Sequence, residues 1–294
     1  MYSLLFLAAA SLLSALVLTP IVRNLALQRR WVDKSDAARK VHVGPIPRVG
    51  GVAILLSFGI SLIALAFLPS GAATKIERGV SLAGRLFPAI ILVFVTGLID
   101  DIRDIRPRYK LLGLIAGAVL AWSAGVRLSS IGGIPLNEYF ILPLTLLWLV
   151  GCANAFNLID GVDGLASGAG LFATLTVTVA ALLSGNYNLA LVTVPLAGAI
   201  LGFLRYNFNP ASIFLGDSGS LLIGFLLGCF GLLWSQKSAT LLGMTAPLMA
   251  LALPLMDTGI AILRRYLSDK PVFGADRGHI HHRLLDRGLS PRGV

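Results

Sequence analysis

The chain has 294 residues, of which 56% are hydrophobic and only 13% are charged, and its mean hydropathy is +0.84. Soluble domains carry about 25% charged residues, so this composition excludes a soluble globular protein and indicates a helical membrane protein. The net charge of +10 does not indicate nucleic-acid binding, because the cations lie in loops that flank apolar segments, where they orient membrane helices.

Nine apolar segments approach the roughly 20 residues that a helix needs to cross a bilayer. The first has no basic region before it and is as long as a full span, so we interpret it as a retained helix rather than a signal peptide. The predicted spans are 2–22, 49–68, 86–99 (extending a little towards the N-terminus), 111–126, 139–156, 165–183, 188–204, 219–234 and 239–263. We therefore predict an all-α, polytopic transmembrane helix bundle in which residues 1–294 form a single integral membrane domain.

The loops between these spans differ in charge. One set, comprising 23–48, 100–110, 157–164, 205–218 and the tail 264–294, holds 19 of the 24 Lys and Arg residues. The other set, comprising 69–85, 127–138, 184–187 and 235–238, holds 5. By the positive-inside rule, the first set is cytoplasmic and the N-terminus is outside. Eleven of the 14 acidic residues fall in the first set, so we expect the active site on the cytoplasmic face.

The segment GLIDDIRDIRPRYK (97–110) places three aspartates, Asp100, Asp101 and Asp104, directly after an apolar run. A carboxylate inside the bilayer costs at least a few kcal/mol, so these residues are predicted at the membrane edge. Taken alone, a solvated helix end explains the segment. The positions of the other acids favour a functional site instead.

The loop KVHVGPIPRVGG (40–51) combines positive charge with a restrained backbone. Pro45, Pro47 and the glycines that follow impose a non-helical approach to the second span. Lys40, His42 and Arg48 supply positive charge at the membrane surface. A phosphate-facing role and ordinary positive-inside flanking are both open.

The loop NAFNLIDGVDG (154–164) contains Asn157, Asp160 and Asp163 but no cation. Uncompensated carboxylates at a membrane edge repel each other and raise a pKa, a problem that a bound divalent cation would remove. Because Asp160 and Asp163 are three residues apart, they share a face if the segment is a helical turn. The alternative is a polar turn with Asx caps.

The loop 205–218 and the tail supply the remaining candidates. Asp217 lies between glycines at the start of the eighth predicted span, as a metal ligand or an N-cap, and Phe214 offers a stacking surface for a base. The three tail histidines lie beside arginines, which favours an anion site over zinc; they are His279, His281 and His282. Oxygen ligands without thiols indicate Mg²⁺, with Mn²⁺ as the alternative, and a pyrophosphate substrate.

Five motifs in this order give the chain a specific resemblance: GLIDDIRDIRPRYK, NAFNLIDGVDGLASG, FLGDSGS, PLMDT and GHIHHRL. The chain resembles the polyprenyl-phosphate N-acetylhexosamine-1-phosphate transferases, multi-pass enzymes that transfer a sugar phosphate from a UDP-sugar to a polyprenyl phosphate and release UMP. The HIHH motif is similar to the bacterial plasma-membrane branch that uses UDP-N-acetylglucosamine and undecaprenyl phosphate to initiate cell-envelope polysaccharides such as lipopolysaccharide or teichoic acid. A phospho-N-acetylmuramoyl-pentapeptide transferase is the alternative within the family, and a cation-coupled transporter is the alternative from another class.

With the loop assignments above, the resemblance implies a role for each candidate. The catalytic candidates are Asp100, Asp101, Asp160, Asp163, His279, His281 and His282. The substrate-binding candidates are Lys110, Asn157, Phe214, His42 and Arg48, and the metal ligands are Asp217 and Asn157. The expected partners are both substrates and membrane lipid, without nucleic acid, and the sequence leaves monomer and homodimer open. Family members commonly continue into one or two more helices, so we expect either a shortened chain or a member without them.

Overall fold

A computed structural model describes residues 2–32, 45–65, 73–131 and 134–235, together with a few helical positions between 256 and 267. The described ranges hold eight helices: α1 (Tyr2–Gln28), α2 (Gly50–Leu65), α3 (Ala73–Arg103), α4 (Pro107–Ser123), α5 (Glu138–Ile159), α6 (Leu165–Leu183), α7 (Tyr187–Asn207) and α8 (Gly216–Ser235). A two-residue antiparallel hairpin, β1 (Ser130–Ile131) and β2 (Ile134–Pro135), lies between α4 and α5. Most of the ninth predicted span and all three tail histidines lie outside the described residues.

Five of the described helices are long and apolar enough to cross a membrane, and α2 is a shorter apolar helix. The prediction of a multi-pass, all-α membrane protein is therefore confirmed at this level. The count of nine spans and the orientation of the N-terminus stay predictions. The five spanning candidates are α1, α5, α6, α7 and α8.

Helix boundaries agree with the sequence prediction to within about four residues, except that α1 runs on to Gln28, into the predicted loop 23–48, and except around α3. The sixth predicted span, 165–183, coincides with α6. In contrast, the predicted loops 69–85 and 100–110 are wrong, because α3 runs continuously from Ala73 to Arg103. Charged residues at both ends of the apolar run suggested loops, although Lys, Arg and Glu are good helix formers. As a result Asp100 and Asp101 lie on the last turns of a helix.

Helix α8 is the centre of the bundle. It packs against α2, α3, α5 and α6, and 89% of its apolar window is buried inside the protein, compared with 28% for α1. A Cβ atom at Gly224 would lie 2.5 Å from the carbonyl oxygen of Cys152, so α5 and α8 are in backbone contact there. Cys152 and Cys229 are fully buried free thiols, which confirms their prediction as packing residues.

Helix α1 is an integral member of the bundle, packed along α7 and α2. The Ser11 hydroxyl donates a hydrogen bond to the carbonyl of Pro195, and the Tyr206 hydroxyl donates to the carbonyl of Leu16 at 2.9 Å. Through these contacts the first helix holds α7, which leads into the loop before α8.

Candidate active site

Four side chains from four helices meet at one end of the bundle. The Lys110 ammonium on α4 contacts Asp217 Oδ2 of α8. It also lies 3.2 Å from Asp100 Oδ2 of α3 and 3.3 Å from Asn157 Oδ1 of α5. All four side chains are partly buried. We call Lys110, Asp100, Asn157 and Asp217 the Lys110 cluster. Residues from three separate sequence motifs thus lie together, and the roles assigned to them stay predictions.

A tight turn after α3 places Lys110 opposite Asp100. Asp104 adopts a left-handed conformation (φ 50°), which Asp tolerates better than most residues. The N–H of Ile105 donates to Asp100 Oδ1 at 2.9 Å. Pro107 then begins α4, where its missing N–H costs nothing. The chain reverses within three residues, so the first turn of α4 carries Lys110 back to the end of α3.

Asn157 links the cluster to a residue that the sequence reasoning did not single out. Its Nδ2 donates to Asp217 Oδ1 at 2.8 Å and to Ser220 Oγ at 3.0 Å. Ser220 lies three residues after Asp217 in the FLGDSGS motif, and this spacing puts both on one face of a helix. That spacing is the signal from which Ser220 could have been found.

Asp101, next to Asp100, makes different contacts. The N–H of Asp217 donates to Asp101 Oδ1 at 2.7 Å, and the N–H of Ser218 donates to Asp101 Oδ2 at 2.9 Å. The carboxylate of Asp101 therefore caps the start of α8. The side chain of Asp217 itself contacts Lys110 and Asn157. The contacts of Asp217 are therefore not those of an N-cap, the alternative that the sequence left open.

Asp160 and Asp163 do not share a helical face, and that prediction is wrong. Helix α5 ends at Ile159, and Asp160 has φ −78° and ψ 45°, outside helical geometry. Burial, followed by the charges of Asp217 and Asp101, holds the pKa of Asp160 well above its usual range, while the Arg48 charge acts in the opposite direction. Asp160 therefore lies within the electrostatic reach of the Lys110 cluster.

Asp163 contacts the loop between α7 and α8 instead. Its Oδ2 accepts a hydrogen bond from Asn209 Nδ2 at 3.1 Å and another from the N–H of Ala211 at 2.9 Å. These contacts hold the loop that leads to Phe214 and Asp217.

Phe214 is fixed through its main chain. Its N–H donates to the carbonyl of Pro47 at 2.8 Å, and its own carbonyl accepts from the N–H of Gly50 at 3.0 Å. The N–H of Gly51 donates to the carbonyl of Leu215 at 3.1 Å. The loop before α2 and the loop before α8 are thus paired, which places partly buried Arg48 beside the site and confirms the predicted fixed approach to α2.

The donor set fits a hard divalent cation. Within the described residues no group of three or more His, Cys, Asp and Glu side chains forms a metal site by itself. Mg²⁺, however, is commonly held by one or two carboxylates with substrate phosphates and water, and the Lys110 cluster offers two carboxylates and an amide oxygen around one positive charge. The charged groups linked to this region are Asp100, Asp101, Asp160, Asp217, Lys110 and Arg48. Because burial holds the pKa of Asp160 well above its usual range, the fit of a divalent cation rests on the donor atoms and not on a net charge.

Four candidates are not placed by this geometry. His42, His279, His281 and His282 lie outside the described residues. Their assigned roles stay predictions.

Comparisons with known proteins agree with the motifs. Residues 84–235 match the model of Glycosyl transferase family 4. The chain is 38% identical over 287 residues to the probable undecaprenyl-phosphate N-acetylglucosaminyl 1-phosphate transferase of Bacillus subtilis, covering 96% of this chain and 77% of that protein. It is 32% identical over 267 residues to the undecaprenyl-phosphate alpha-N-acetylglucosaminyl 1-phosphate transferase of Thermotoga maritima, covering 90% and 76%.

A third relative represents the other branch. The chain is 34% identical over 245 residues to the phospho-N-acetylmuramoyl-pentapeptide-transferase of Desulforudis audaxviator, covering 74% of this chain and 72% of that protein. The resemblance predicted from the five motifs is confirmed: the chain belongs to glycosyl transferase family 4.

Proposed function

We propose that this protein transfers N-acetylglucosamine 1-phosphate from UDP-N-acetylglucosamine to undecaprenyl phosphate. An oxygen of the lipid phosphate attacks the sugar-side phosphorus, the bond from that phosphorus to the bridging oxygen breaks, and UMP leaves. The product is the lipid diphosphate-linked sugar that starts an envelope polysaccharide. The names of the relatives from B. subtilis and T. maritima support this assignment.

The observation that carries the proposal is the Lys110 cluster. Phosphoryl transfer needs groups that position two anionic substrates and neutralise charge on the phosphoryl group as it moves. Lys110 is held between Asp100 and Asp217, so its ammonium is oriented before substrate arrives and stabilises phosphoryl oxygens in the transition state.

Asp100 and Phe214 define the two sides of the site. Asp100 ends an apolar helix that a lipid chain can follow, so it positions the polyprenyl phosphate. It is a weak proton acceptor for that task, because a phosphate monoester with a second pKa near 6 is already mostly ionised at neutral pH. Phe214 stacks on the uracil ring and Arg48 binds the diphosphate.

The cofactor in this proposal is Mg²⁺, with Mn²⁺ as the alternative. Asp217 and Asn157 would hold it, next to Asp100. When bound, the metal neutralises the diphosphate and the leaving UMP. Asn157 keeps Asp217 oriented through its amide group and Ser220.

The direct test is a transfer assay with purified protein in detergent and undecaprenyl phosphate. The donors are UDP-N-acetylglucosamine, UDP-N-acetylgalactosamine and UDP-N-acetylmuramoyl-pentapeptide, and the lipid products and UMP are resolved separately. We expect UDP-N-acetylglucosamine to give the highest kcat/KM. A preference for the pentapeptide donor would move the protein to the other branch, and no UMP release with any donor would overturn the transferase assignment.

The site faces the cytoplasm of a bacterial plasma membrane in this proposal, because UDP-sugars are made there. Arg103 is exposed at the end of α3 and Ser184 is exposed after α6, and the native thiols are buried. We expect Ser184→Cys to react with an impermeant thiol reagent on intact cells, and Arg103→Cys to react only after the membrane is opened. The reverse pattern would contradict a cytoplasmic donor.

A further inference from the structure

Helix α8 begins without a cap of its own. The first four N–H groups of a helix have no partner within it and usually bond to a Ser, Thr, Asp or Asn side chain just before the helix. Here the preceding residue is Leu215, whose side chain cannot accept a hydrogen bond, and the first helical residue is Gly216, which has no side chain. The helix that carries Asp217 therefore depends on another part of the chain for its cap.

The main chain of Gly216 has a hydrogen bond with Asp160, and α3 provides the cap for the next two N–H groups because it touches α8 directly. A Cβ atom at Gly97 would lie 2.5 Å from the carbonyl oxygen of Asp217, so the two backbones are in contact. Asp101 is four residues after Gly97 and lies on the same face of α3. Its short side chain consequently reaches the N–H groups of Asp217 and Ser218, at 2.7 and 2.9 Å.

The geometry around Gly216 leaves the Asp101 carboxylate little freedom. Gly216 has φ 71°, a conformation that favours glycine. A Cβ atom there would meet the carbonyl oxygen of Arg48 at 1.7 Å and Asp101 Oδ1 at 2.8 Å. The carboxylate is thus packed against the main chain that it caps.

We propose that Asp101 is a positioning residue: it caps α8 from the neighbouring helix and sets the direction in which Asp217 points. Asp100, one position earlier, faces the Lys110 cluster, so the two adjacent aspartates have separate tasks. The part of this proposal that concerns the orientation of Asp217 rests on the proposed function, whereas the capping of α8 by Asp101 does not.

The test compares Asp101→Asn and Asp101→Ala with a matched control. Two different oxygens of Asp101 accept from two different N–H groups, so an asparagine keeps one bond and turns an NH₂ group towards the other donor. Asp104→Asn is the control, because it makes the same change of charge three residues away on an exposed side chain, and Asn tolerates the left-handed backbone.

The first measurement is hydrogen–deuterium exchange of peptides that cover residues 214–222, without metal or substrate. Loss of a cap corresponds to roughly 2- to 30-fold in the local equilibrium, so we expect faster exchange in both Asp101 variants, larger for Ala, and none for Asp104→Asn. Asp100→Asn should leave this exchange close to the wild type. Unchanged exchange in both Asp101 variants together with lost turnover would show that Asp101 acts directly in the chemistry, and would overturn the proposal.

The second measurement is Mn²⁺ binding without substrate, followed by electron paramagnetic resonance. Residues that orient a metal ligand typically change affinity by roughly 10- to 100-fold, and we expect Asp101→Asn to weaken Mn²⁺ binding while Asp104→Asn does not. Wild-type affinity in both Asp101 variants would overturn the link to Asp217. If the wild-type protein binds no Mn²⁺ either alone or with UMP, the proposed metal site fails, and if it releases no UMP in the transfer assay, the proposed function fails. In either case the exchange data still decide whether Asp101 is a cap.

Discussion

At the site end of the bundle, the two aspartates of each acidic motif make different contacts, although they have equal charge and close spacing in the sequence. Asp100 and Asp101 end α3, and Asp160 and Asp163 follow α5. Asp100 contacts Lys110 and also accepts a hydrogen bond from the N–H of Ile105 in the turn directly after it. Asp160 is affected by the charge of Asp217 and by a hydrogen bond with the main chain of Gly216. The hydrogen bonds described above for Asp101 and Asp163 instead include main-chain N–H groups of a distant segment and no side chain of the Lys110 cluster: those of Asp217 and Ser218 for Asp101, and that of Ala211 for Asp163.

This comparison shows that equal charge and close spacing do not imply equal function. Carboxylates that accept hydrogen bonds from backbone N–H groups order the loops on which the reacting groups stand, and the energy of an unsatisfied buried N–H makes such bonds expensive to lose. Substitutions that distinguish carboxylates in contact with the Lys110 cluster from carboxylates that bond a distant main chain therefore test the whole arrangement.

The largest effect is expected for Asp217→Asn, which changes the Lys110 cluster itself. The substitution keeps the shape but removes the charge that faces Lys110 and the proposed metal. Removing one electrostatic contact to a transition state commonly costs about 100- to 1,000-fold in kcat, and we expect at least a 100-fold loss of UMP release with unchanged circular dichroism. Near-normal activity would contradict the metal assignment. Asp104→Asn, with the same loss of charge, should keep full activity.

The next effect separates the acceptor side from the donor side. We expect Asp100→Asn to lower kcat and impair use of undecaprenyl phosphate, with little change in the affinity for UMP. Phe214→Ala should instead weaken UMP binding, since a lost base-stacking contact costs about 1–3 kcal/mol, roughly 5- to 150-fold. Calorimetry with UMP and kinetics in both substrates measure this. Phe172→Ala, which removes an exposed phenylalanine from α6, is the control.

If Asp100→Asn loses UMP binding while Phe214→Ala keeps it, the proposed division between the two sides is wrong. Asp100 would then be assigned to binding of the UDP-sugar donor.

A third, smaller effect tests the contact that lets Asp101 reach α8. Gly97→Ala places a methyl group 2.5 Å from the carbonyl of Asp217, and overpacking of this kind costs about 1–3 kcal/mol of folding stability. Gly151→Ala in α5 is the matched control, because a Cβ atom there meets nothing within 4 Å and Ala favours helix by about 0.5–1 kcal/mol. When thermal unfolding is measured in detergent, we expect Gly97→Ala to lower Tm and Gly151→Ala not to lower it. Equal Tm values would contradict the close α3–α8 contact.

The smallest effect is expected for Asp163→Asn, in contrast to Asp101→Asn. Asp163 Oδ2 accepts from Asn209 Nδ2 and from the N–H of Ala211, and an asparagine oxygen can accept from the same two donors, so we expect UMP affinity within about 2-fold of wild type. Asp163→Ala leaves the Ala211 N–H without this acceptor, at a cost of about 1–3 kcal/mol. An Asn variant as impaired as the Ala variant would show that the charge of Asp163 acts directly.

The sequence predicted the membrane bundle and most members of the site, because apolar length and ordered motifs are properties of short segments. Helix α6 was predicted to the residue. The division of labour between Asp100 and Asp101 was not predictable, since it depends on which face of α3 meets α8, and that is set by a glycine contact between distant segments. The extent of α3 was missed because its charged ends resemble loops, and the assumed helical turn at Asp160 failed because α5 stops one residue earlier.

The pairing of the loops before α2 and α8 also has a consequence for biogenesis. The N–H groups of Gly50 and Gly51 bond to the carbonyls of Phe214 and Leu215, which are 164 positions later in the chain. At a synthesis rate of roughly 5–20 residues per second, this interval is about 8 to 33 s. During that time α2 is already made while the partners for its first N–H groups are not, so its start stays in contact with water or with the insertion machinery. The part of the site that we propose binds the nucleotide is therefore completed only when the ribosome has passed α8.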